Sequence, residues 1–424
     1  MTYTRTDIAN RYRQVRKVTV DICAPLSPED HVPQPIVDVS PPKWHLGHVT
    51  WFYEQVFLER YITGYKPFHP EYAWIFNSYY DSFGDRVQRQ LRGTLSRPTL
   101  DEVMRFRTYV DEQMLDLIES VVEANWEQFS EFLVLSLNHE QQHQELLLTD
   151  LKYILACSPV RPSYASPSGR PTSDHSPPST PIGFEGGIFD IGHTGNDFSY
   201  DNEGPSHKVH LEPFELHSRL VTNGEYLAFV EDGGYSKFDH WLSDAWMTVR
   251  QDEWRAPLYW EQHEGEWYEF TLYGDEPLDL NAPVCHVSYF EAEAFAHWSG
   301  KRLPLETEWE AAVQQSGLEP TGDDGFYDSQ VFHPWIASGS QSGLRQMFGN
   351  CWEWTGSAYL PYPGYKRIPG PFGEYNGKFM VNQMVMRGGS VATSLDHIRS
   401  TYRNFFKPDR RWQFKGIRLA EHNS

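Results

Sequence analysis

A proline- and serine-rich segment, SPVRPSYASPSGRPTSDHSPPSTP at residues 158–181, divides this chain into two parts of different character. Large apolar side chains are almost absent from it, so it cannot bury a core, and its composition is typical of an exposed linker. A chain of 424 residues is also long for one hydrophobic core. The sequence therefore predicts two domains, at residues 1–157 and 182–424, joined by this linker.

The part before the linker is predicted to be helical. Charged and apolar positions recur at three- and four-residue spacing over residues 5–22 and 99–126, and Thr99 followed by Glu102 is a capping-box pattern. Ser40 is a candidate N-cap for the stretch PPKWHLGHVTWFYEQVFLERYI, and a long stretch rich in Leu, Glu and Gln ends just before the linker. Four such helices with their apolar faces inward predict a four-helix bundle.

The part after the linker has a different pattern. Short β-like runs alternate with Gly, Asn and Pro turns, and a helix is predicted at residues 288–300. The β-like runs lie at residues 186–192, 207–216, 384–392 and 415–421. Because strands and helices do not alternate in a repeating βαβ order, the fold class predicted for the whole chain is α+β.

Charge and cysteine content restrict the partners and the compartment. A net charge of −22 argues against nucleic acid and against anionic membranes, since both need clustered Lys and Arg. The four cysteines are scattered, which favours a reducing compartment. No apolar run approaches the length of a membrane span, and the first residues lack the apolar core of a signal peptide. We expect a soluble, cytoplasmic protein.

A histidine pair is the strongest chemical signal. His139 and His143 fit H-E-x-x-H, the zinc-protease signature, and residues four apart on a helix share a face. A protease would need Glu140 as its base and a third ligand downstream, and no good ligand follows. Upstream, His45 and His48 lie on another predicted helix, which a bundle could bring beside the pair. Three imidazoles would leave coordination positions open, and Fe(II), Zn or Cu suit imidazole.

Two groups of motifs carry a family resemblance. L-G-H at residues 46–48, followed by H-x-x-x-H-x-E at 139–145, resembles the three-histidine site of DinB-like metal-binding bundles. The second part is similar to the formylglycine-generating-enzyme/sulfatase-modifying domain, a C-type-lectin-like fold. Its marks are VTNGEYLAFVEDGGY, PVCHVSYFEAEAFAHWSGKRLPLETEWEAA, MFGNCWEWT, MRGGSV and GIRLA.

The combination of the two domains resembles the sulfoxide synthase family of ergothioneine biosynthesis. That family depends on non-haem Fe(II) and uses O2 to join a cysteine-type thiol to C2 of hercynine, the trimethylated betaine of histidine. The resemblance implies Fe(II) as cofactor and His48, His139 and His143 as its ligands. His45 is the rival to His48, because it lies three residues away on the same predicted helix.

The resemblance also implies a tyrosine as proton donor. Tyr79 and Tyr80, in the stretch NSYYDSFGDR, are the candidates in the metal-bearing domain. Some relatives supply this tyrosine from the C-terminal domain instead. The paired tyrosines resemble the branch of the family that uses cysteine rather than γ-glutamylcysteine, and both thiols stay open.

Substrate contacts are implied at two places. A quaternary ammonium favours aromatic faces, and residues 401–414 match the segment with which the family contacts hercynine. The residues implied there are Asn404, Phe405 and Phe406. Both substrates carry carboxylates, which suit arginine, and Arg86 and Arg89 follow the tyrosines.

Three rival functions are weighed against this interpretation. A formylglycine-generating enzyme needs late cysteines, and none follows Cys351. A synthase of the ovothiol type, which attaches sulfur to C5 of histidine, usually carries a methyltransferase domain, for which no chain length remains. A metal-dependent thiol transferase or a non-catalytic binding module would work without O2, and a pure binder would lack stoichiometric iron.

Overall fold

The chain forms two compact units in the computed structural model, which describes residues 3–166, 175–322, 324–336, 343–368 and 371–422. The first unit comprises Met1–Tyr164, Gly195–Phe198 and Ile368–Tyr375. The second comprises Ala165–Thr194, Ser199–Arg367 and Asn376–Ser424. The first is helical and the second is rich in short strands, so the predicted α+β class is confirmed. Neither unit is continuous in sequence, whereas the predicted domains were.

The predicted linker at 158–181 is described only in part, because residues 167–174 lie outside the described residues. At its start, the hydroxyl of the buried Tyr164 donates to the carbonyl of Ile22 over 2.9 Å. The chain therefore stays with the helical unit up to this residue. At its end, Pro181 already pairs with His217 in a strand.

The helical unit contains four long α-helices and two short α-helices among its described residues. They are α1 Arg5–Cys23, α2 Pro42–Tyr53, α3 Glu59–Tyr61, α4 Tyr72–Ile75, α5 Leu100–Ser120 and α6 Glu123–Cys157. A π-helical turn, Glu54–Leu58, continues α2. The predicted run over 99–126 is two helices, because the chain is extended at Val121 and Val122 between α5 and α6.

The predicted caps differ in outcome. Thr99 caps α5 as expected: its hydroxyl accepts from the Glu102 backbone N–H, and the Glu102 carboxylate accepts from the Thr99 backbone N–H over 2.7 Å. The expectation that Ser40 caps α2 is wrong. Pro41 occupies the N-cap position, and the Ser40 backbone N–H instead donates to the Asp150 carboxylate over 2.8 Å.

Helix α2 lies in the centre of the helical unit. Each of its twelve residues is buried, and it packs against α5 and α6. A helix that is covered on all sides belongs to a core rather than to a surface. Burying a polar side chain on α2 costs free energy unless the side chain has a partner. The two histidines of α2 are therefore expected to have partners or a ligand.

Twelve strands are described in the second unit. They are β1 Pro181–Phe184, β2 Gly187–Ile191, β3 His207–Leu211, β4 Phe214–His217, β5 Trp260–His263, β6 Glu266–Thr271, β7 Gly274–Pro277, β8 Trp352–Ala358, β9 Met384–Arg387, β10 Asn404–Phe406, β11 Lys415–Gly416 and β12 Ala420–His422. They form sheets in the orders β1-β4-β12, β10-β9-β8-β11, β2-β3 and β5-β6-β7. The predicted run over 207–216 is two strands, since Pro213 has no N–H to donate to a ladder.

The α-helices among the described residues of the second unit are α7 Asn223–Glu231, α8 Ser243–Gln251, α9 Tyr289–Trp298 and α10 Glu306–Ser316. Helix α9 is the one predicted at 288–300, and a capping box of Ser288 with Glu291 begins it. No helix within the described ranges is both long and apolar enough to cross a membrane.

Candidate metal centre

The histidine pair lies on the inner face of α6. His139 and His143 are both buried, and their ring centroids are 4.7 Å apart. One helical turn separates them, so both side chains leave the helix on the same side. The ring of Phe52, from α2, contacts His139 with its centroid at 4.4 Å.

His48 reaches the pair from α2 with a fixed orientation. Its Nδ1 lies 2.7 Å from the carbonyl oxygen of Phe76, and a carbonyl can only accept, so Nδ1 carries the proton. The lone pair of the neutral ring is then on Nε2. Trp44 and Trp51 stack on the His48 ring, at centroid distances of 4.7 Å and 5.4 Å, and hold its plane.

The three imidazoles meet in one place. One ring nitrogen each from His48, His139 and His143 lies within 4.8 Å of the others, and all three residues are buried. The Nε2 atoms of His48 and His139 have no hydrogen-bond partner. Buried polar atoms without partners are rare and costly, and a cation between these rings would satisfy them.

The environment keeps these rings neutral. Burial lowers the pKa of His139 to about 3. Burial also holds the pKa values of His48 and His143 well below the usual range, and the neighbouring imidazoles lower them further. A metal binds the neutral ring, so the residues present fit a metal ion that prefers nitrogen ligands.

His45, the rival ligand, has other partners. Its Nδ1 lies 3.0 Å from Nδ1 of His143, and its Nε2 lies 3.1 Å from a carboxylate oxygen of Asp150. Both of its ring nitrogens are therefore engaged. The group of three mutually close ligand atoms contains His48 and not His45.

Glu140, the residue a protease would use as its base, is held in a buried ion-pair cluster. Its carboxylate accepts from Arg16 over 3.1 Å, from Arg107 over 3.2 Å and from the Thr19 hydroxyl over 2.6 Å. Burial would raise the pKa of Glu140, but the two guanidinium groups outweigh it and hold the pKa at about 2. A carboxylate so strongly held in its charged form is a poor general base near neutral pH.

The paired tyrosines lie beside the histidines. The Tyr80 ring is buried, with centroids 6.4 Å from both His48 and His139, and Tyr79 stacks on it at 4.6 Å. Asn77 fixes the turn, since its side chain exchanges hydrogen bonds with the backbone of Tyr80. Burial raises the pKa of Tyr79, which keeps its phenol protonated.

A segment from late in the chain, Ile368–Tyr375, belongs to the helical unit and supplies another tyrosine. The Tyr375 ring lies 5.3 Å from the His139 ring, nearly perpendicular to it. The Glu374 carboxylate accepts from the backbone N–H groups of Asp81 and Ser82, over 2.9 Å and 3.1 Å. Sequence reasoning did not single out Tyr375. The possibility of a tyrosine from the C-terminal part was the one available signal.

The two arginines predicted to hold substrate carboxylates are exposed. Arg86 pairs with Asp81 over 2.6 Å, and Arg89 donates to the Asp38 carbonyl. A third arginine, Arg92, was not predicted: it is buried, with its guanidinium 3.4 Å over the ring of Trp44. Its positive charge lowers the pKa values of His48 and His143 further.

The predicted hercynine contacts lie in the second unit, on β10. Phe405 stacks on Tyr359 with centroids 4.0 Å apart, and the ammonium of Lys415 lies 4.0 Å from the Phe406 ring. One face of each ring therefore has a partner within the chain. Asn404, Phe405 and Phe406 all remain partly exposed.

Two protein-family models match the two parts of the chain. The family described as the DinB superfamily matches residues 11–147, and the sulfatase-modifying factor enzyme 1-like domain matches residues 168–423. The predicted DinB-like domain and the predicted formylglycine-generating-enzyme-type domain are thereby confirmed as fold assignments.

Relatives that span both parts are also similar. A protein named hercynine oxygenase from Mycolicibacterium thermoresistibile is 33% identical over 90% of this chain and 87% of its own length. One of the same name from Mycobacterium tuberculosis is 32% identical over 90% and 91%. A formylglycine-generating enzyme from Bos taurus is 28% identical, over 53% of this chain and 68% of its own length.

Proposed function

Because the chain belongs to the hercynine oxygenase family, we propose that it is an O2-dependent, Fe(II)-containing sulfoxide synthase. It joins the sulfur of cysteine to C2 of hercynine. The thiol and hercynine each give up one hydrogen, one oxygen atom of O2 ends on the sulfur, and the other ends in water. The balance closes without a further reductant.

The observation that carries the proposal is the set of three buried, neutral imidazoles. The Nε2 atoms of His48 and His139 have no hydrogen-bond partner, and the ring of His143 completes the group. Bound Fe(II) supplies open coordination positions at which a thiolate and O2 can react. In this proposal His48, His139 and His143 hold the ion, and the buried aromatic rings around them exclude water.

A proton source beside the histidines supports an O2 reaction. We assign this role to the phenol oxygen of Tyr80 or of its stacked neighbour Tyr79, whose raised pKa suits a group that holds its proton until it is needed. Tyr375 is the alternative donor, since its ring contacts His139.

Substrate binding is assigned to the residues that the family resemblance implies. Arg86 and Arg89 would meet substrate carboxylates, and Asn404, Phe405 and Phe406 would meet hercynine. The paired tyrosines favour cysteine over γ-glutamylcysteine as the thiol. All four cysteines of the chain are free, which suits a cytoplasmic location.

Mass spectrometry of the product tests the proposal. Protein loaded anaerobically with Fe(II) is mixed with cysteine, air and hercynine that carries deuterium at C2. We expect one sulfoxide adduct that has lost the deuterium, formed by wild type and by His69→Ala, an exposed control, and not by His139→Ala. An adduct that keeps the deuterium would mean attachment at C5, as in the ovothiol type. No adduct, or turnover without O2, would refute the proposal, and a parallel reaction with γ-glutamylcysteine identifies the preferred thiol.

A further inference from the structure

The hydrogen bonds behind His143 differ from the one behind His48. His143 Nδ1 faces His45 Nδ1 over 3.0 Å, and His45 Nε2 faces the Asp150 carboxylate over 3.1 Å. His45 and Asp150 are each about 2% exposed. The three side chains thus form a buried row that ends on a carboxylate.

Donor and acceptor roles in this row follow from chemistry. The Asp150 oxygen that meets His45 also accepts from the Ser40 backbone N–H over 2.8 Å, so it acts as an acceptor. His45 Nε2 must then carry a proton. In a neutral ring His45 Nδ1 can only accept, and His143 Nδ1 must donate to it. The lone pair of His143 is consequently on Nε2, as it is in His48.

The partner behind each imidazole sets how strongly that imidazole binds a metal. His48 donates to a neutral backbone carbonyl, that of Phe76. His143 donates to a ring that in turn donates to an anion. A carboxylate behind a ligating histidine fixes its tautomer and raises its basicity.

We propose that His45 and Asp150 are positioning residues for the metal ligand His143. They fix its tautomer and ring orientation and increase its electron density, although neither touches the ion. The inference rests on the proposed metal site. It adds that hydrogen bonds to His45 and Asp150 orient one of the three ligands, His143. It also gives a function to a buried histidine that would otherwise compete with His48 as a ligand.

Metal affinity is the quantity that tests this. Wild type, His45→Phe, Asp150→Asn and the double variant are titrated anaerobically with Fe(II) and Co(II) against a competing chelator, and the visible spectrum of bound Co(II) is recorded. We expect His45→Phe to bind one ion per chain about 10- to 100-fold more weakly, with a changed Co(II) spectrum. Asp150→Asn should weaken binding about tenfold, at the low end of the same range. Because Asp150 acts through His45, the double variant should bind no more weakly than His45→Phe.

Two controls separate positioning from a general structural effect. His31 is also buried and hydrogen-bonds through Nδ1, but to the Ser27 carbonyl, so His31→Phe should leave both affinities within twofold of wild type. His45→Gln offers an amide oxygen to His143 and should recover part of the affinity. It also keeps the test open if His45→Phe does not fold, which circular dichroism would reveal.

The outcomes distinguish this inference from the proposed function. If wild type binds neither Fe(II) nor Co(II), the proposed function fails and the inference fails with it. If wild type binds tightly and His45→Phe or His45→Gln binds equally tightly with an unchanged Co(II) spectrum, only the inference is refuted. Strictly additive losses in the double variant would also refute it. Loss of the entire site in His45→Phe, with no ion bound at any concentration, would make His45 a ligand and contradict the positioning role.

Discussion

Replacement of Glu140 distinguishes a structural glutamate from a catalytic one in the H-E-x-x-H motif. In the structure its carboxylate joins two buried guanidinium groups, those of Arg16 and Arg107. Glu140→Gln keeps the shape of the side chain and removes its charge. Arg16 would keep its ion pair with Asp111 at 2.7 Å, whereas the contacts that Arg107 would keep are to neutral oxygens, those of Thr50 and of the Arg16 carbonyl.

The loss of folding stability in Glu140→Gln can be estimated in two ways. Removing one partner of a buried ion pair destabilises a protein by about 3 to 5 kcal/mol, and the remaining amide oxygen puts Glu140→Gln at the lower end. The pKa of Glu140 is lowered from 4.5 to about 2, which corresponds to about 3 kcal/mol in favour of the charged form. A carboxylate whose pKa is lowered by folding stabilises the folded state fully at any pH above its pKa in the unfolded chain. At pH 7 the whole contribution is therefore present. We therefore expect a loss of about 3 kcal/mol at pH 7.

The assay is urea unfolding of the metal-free protein, followed by the helical circular dichroism signal, because the longest helices belong to the first unit. Glu119→Gln, on the exposed face of α5, is the matched control and should change the unfolding free energy by less than about 0.5 kcal/mol. Folded Glu140→Gln protein should still bind one metal ion per chain at low temperature. A destabilisation below about 1 kcal/mol together with complete loss of activity would refute this reasoning and revive a catalytic role.

Three further predictions concern the surroundings of the histidines. Tyr80→Phe removes a proposed proton donor and should divert O2 consumption toward oxidation of the thiol alone. The ratio of coupled product to oxidised thiol measures this diversion. An unchanged ratio in both Tyr80→Phe and Tyr79→Phe would mean that neither tyrosine is the proton donor. Gly47→Ala would put a methyl group 2.1 Å from the Phe76 ring. It should lower the free energy of unfolding by about 1 to 3 kcal/mol, measured by thermal denaturation. An unchanged melting temperature would contradict the packing described. Glu374→Ala should speed hydrogen exchange of the two amides that its carboxylate accepts from, about tenfold or more. Equal exchange rates would mean that this contact does not hold the tyrosine loop.

Local sequence patterns predicted that the first unit is helical and that His139 and His143 share one face of a helix. His139 and His143 share a face because a helix repeats nearly every four residues. The choice of His48 over His45 on the other helix followed from the family resemblance of the L-G-H motif. The capping box at Thr99 was visible because its two partners, Thr99 and Glu102, are three residues apart. Such signals depend on neighbours in sequence, which a single chain reveals.

Contacts between distant residues could not be read in the same way. Ser40 was predicted to cap α2, but its backbone N–H donates to Asp150, which lies 110 residues away in the sequence. Tyr375 contacts His139 only because a segment from the second half of the chain joins the first unit. The Lys415 ammonium against the Phe406 ring likewise required the fold, since nothing in the sequence said that a cation of the chain itself covers that face.

The most direct test is an anomalous difference map at the iron edge, from crystals grown anaerobically with Fe(II). The account predicts one strong peak per chain, bonded to Nε2 of His48, His139 and His143, with His45 hydrogen-bonded behind the last of these. A peak bonded to His45 in place of His48, or no peak between the three rings, would contradict it.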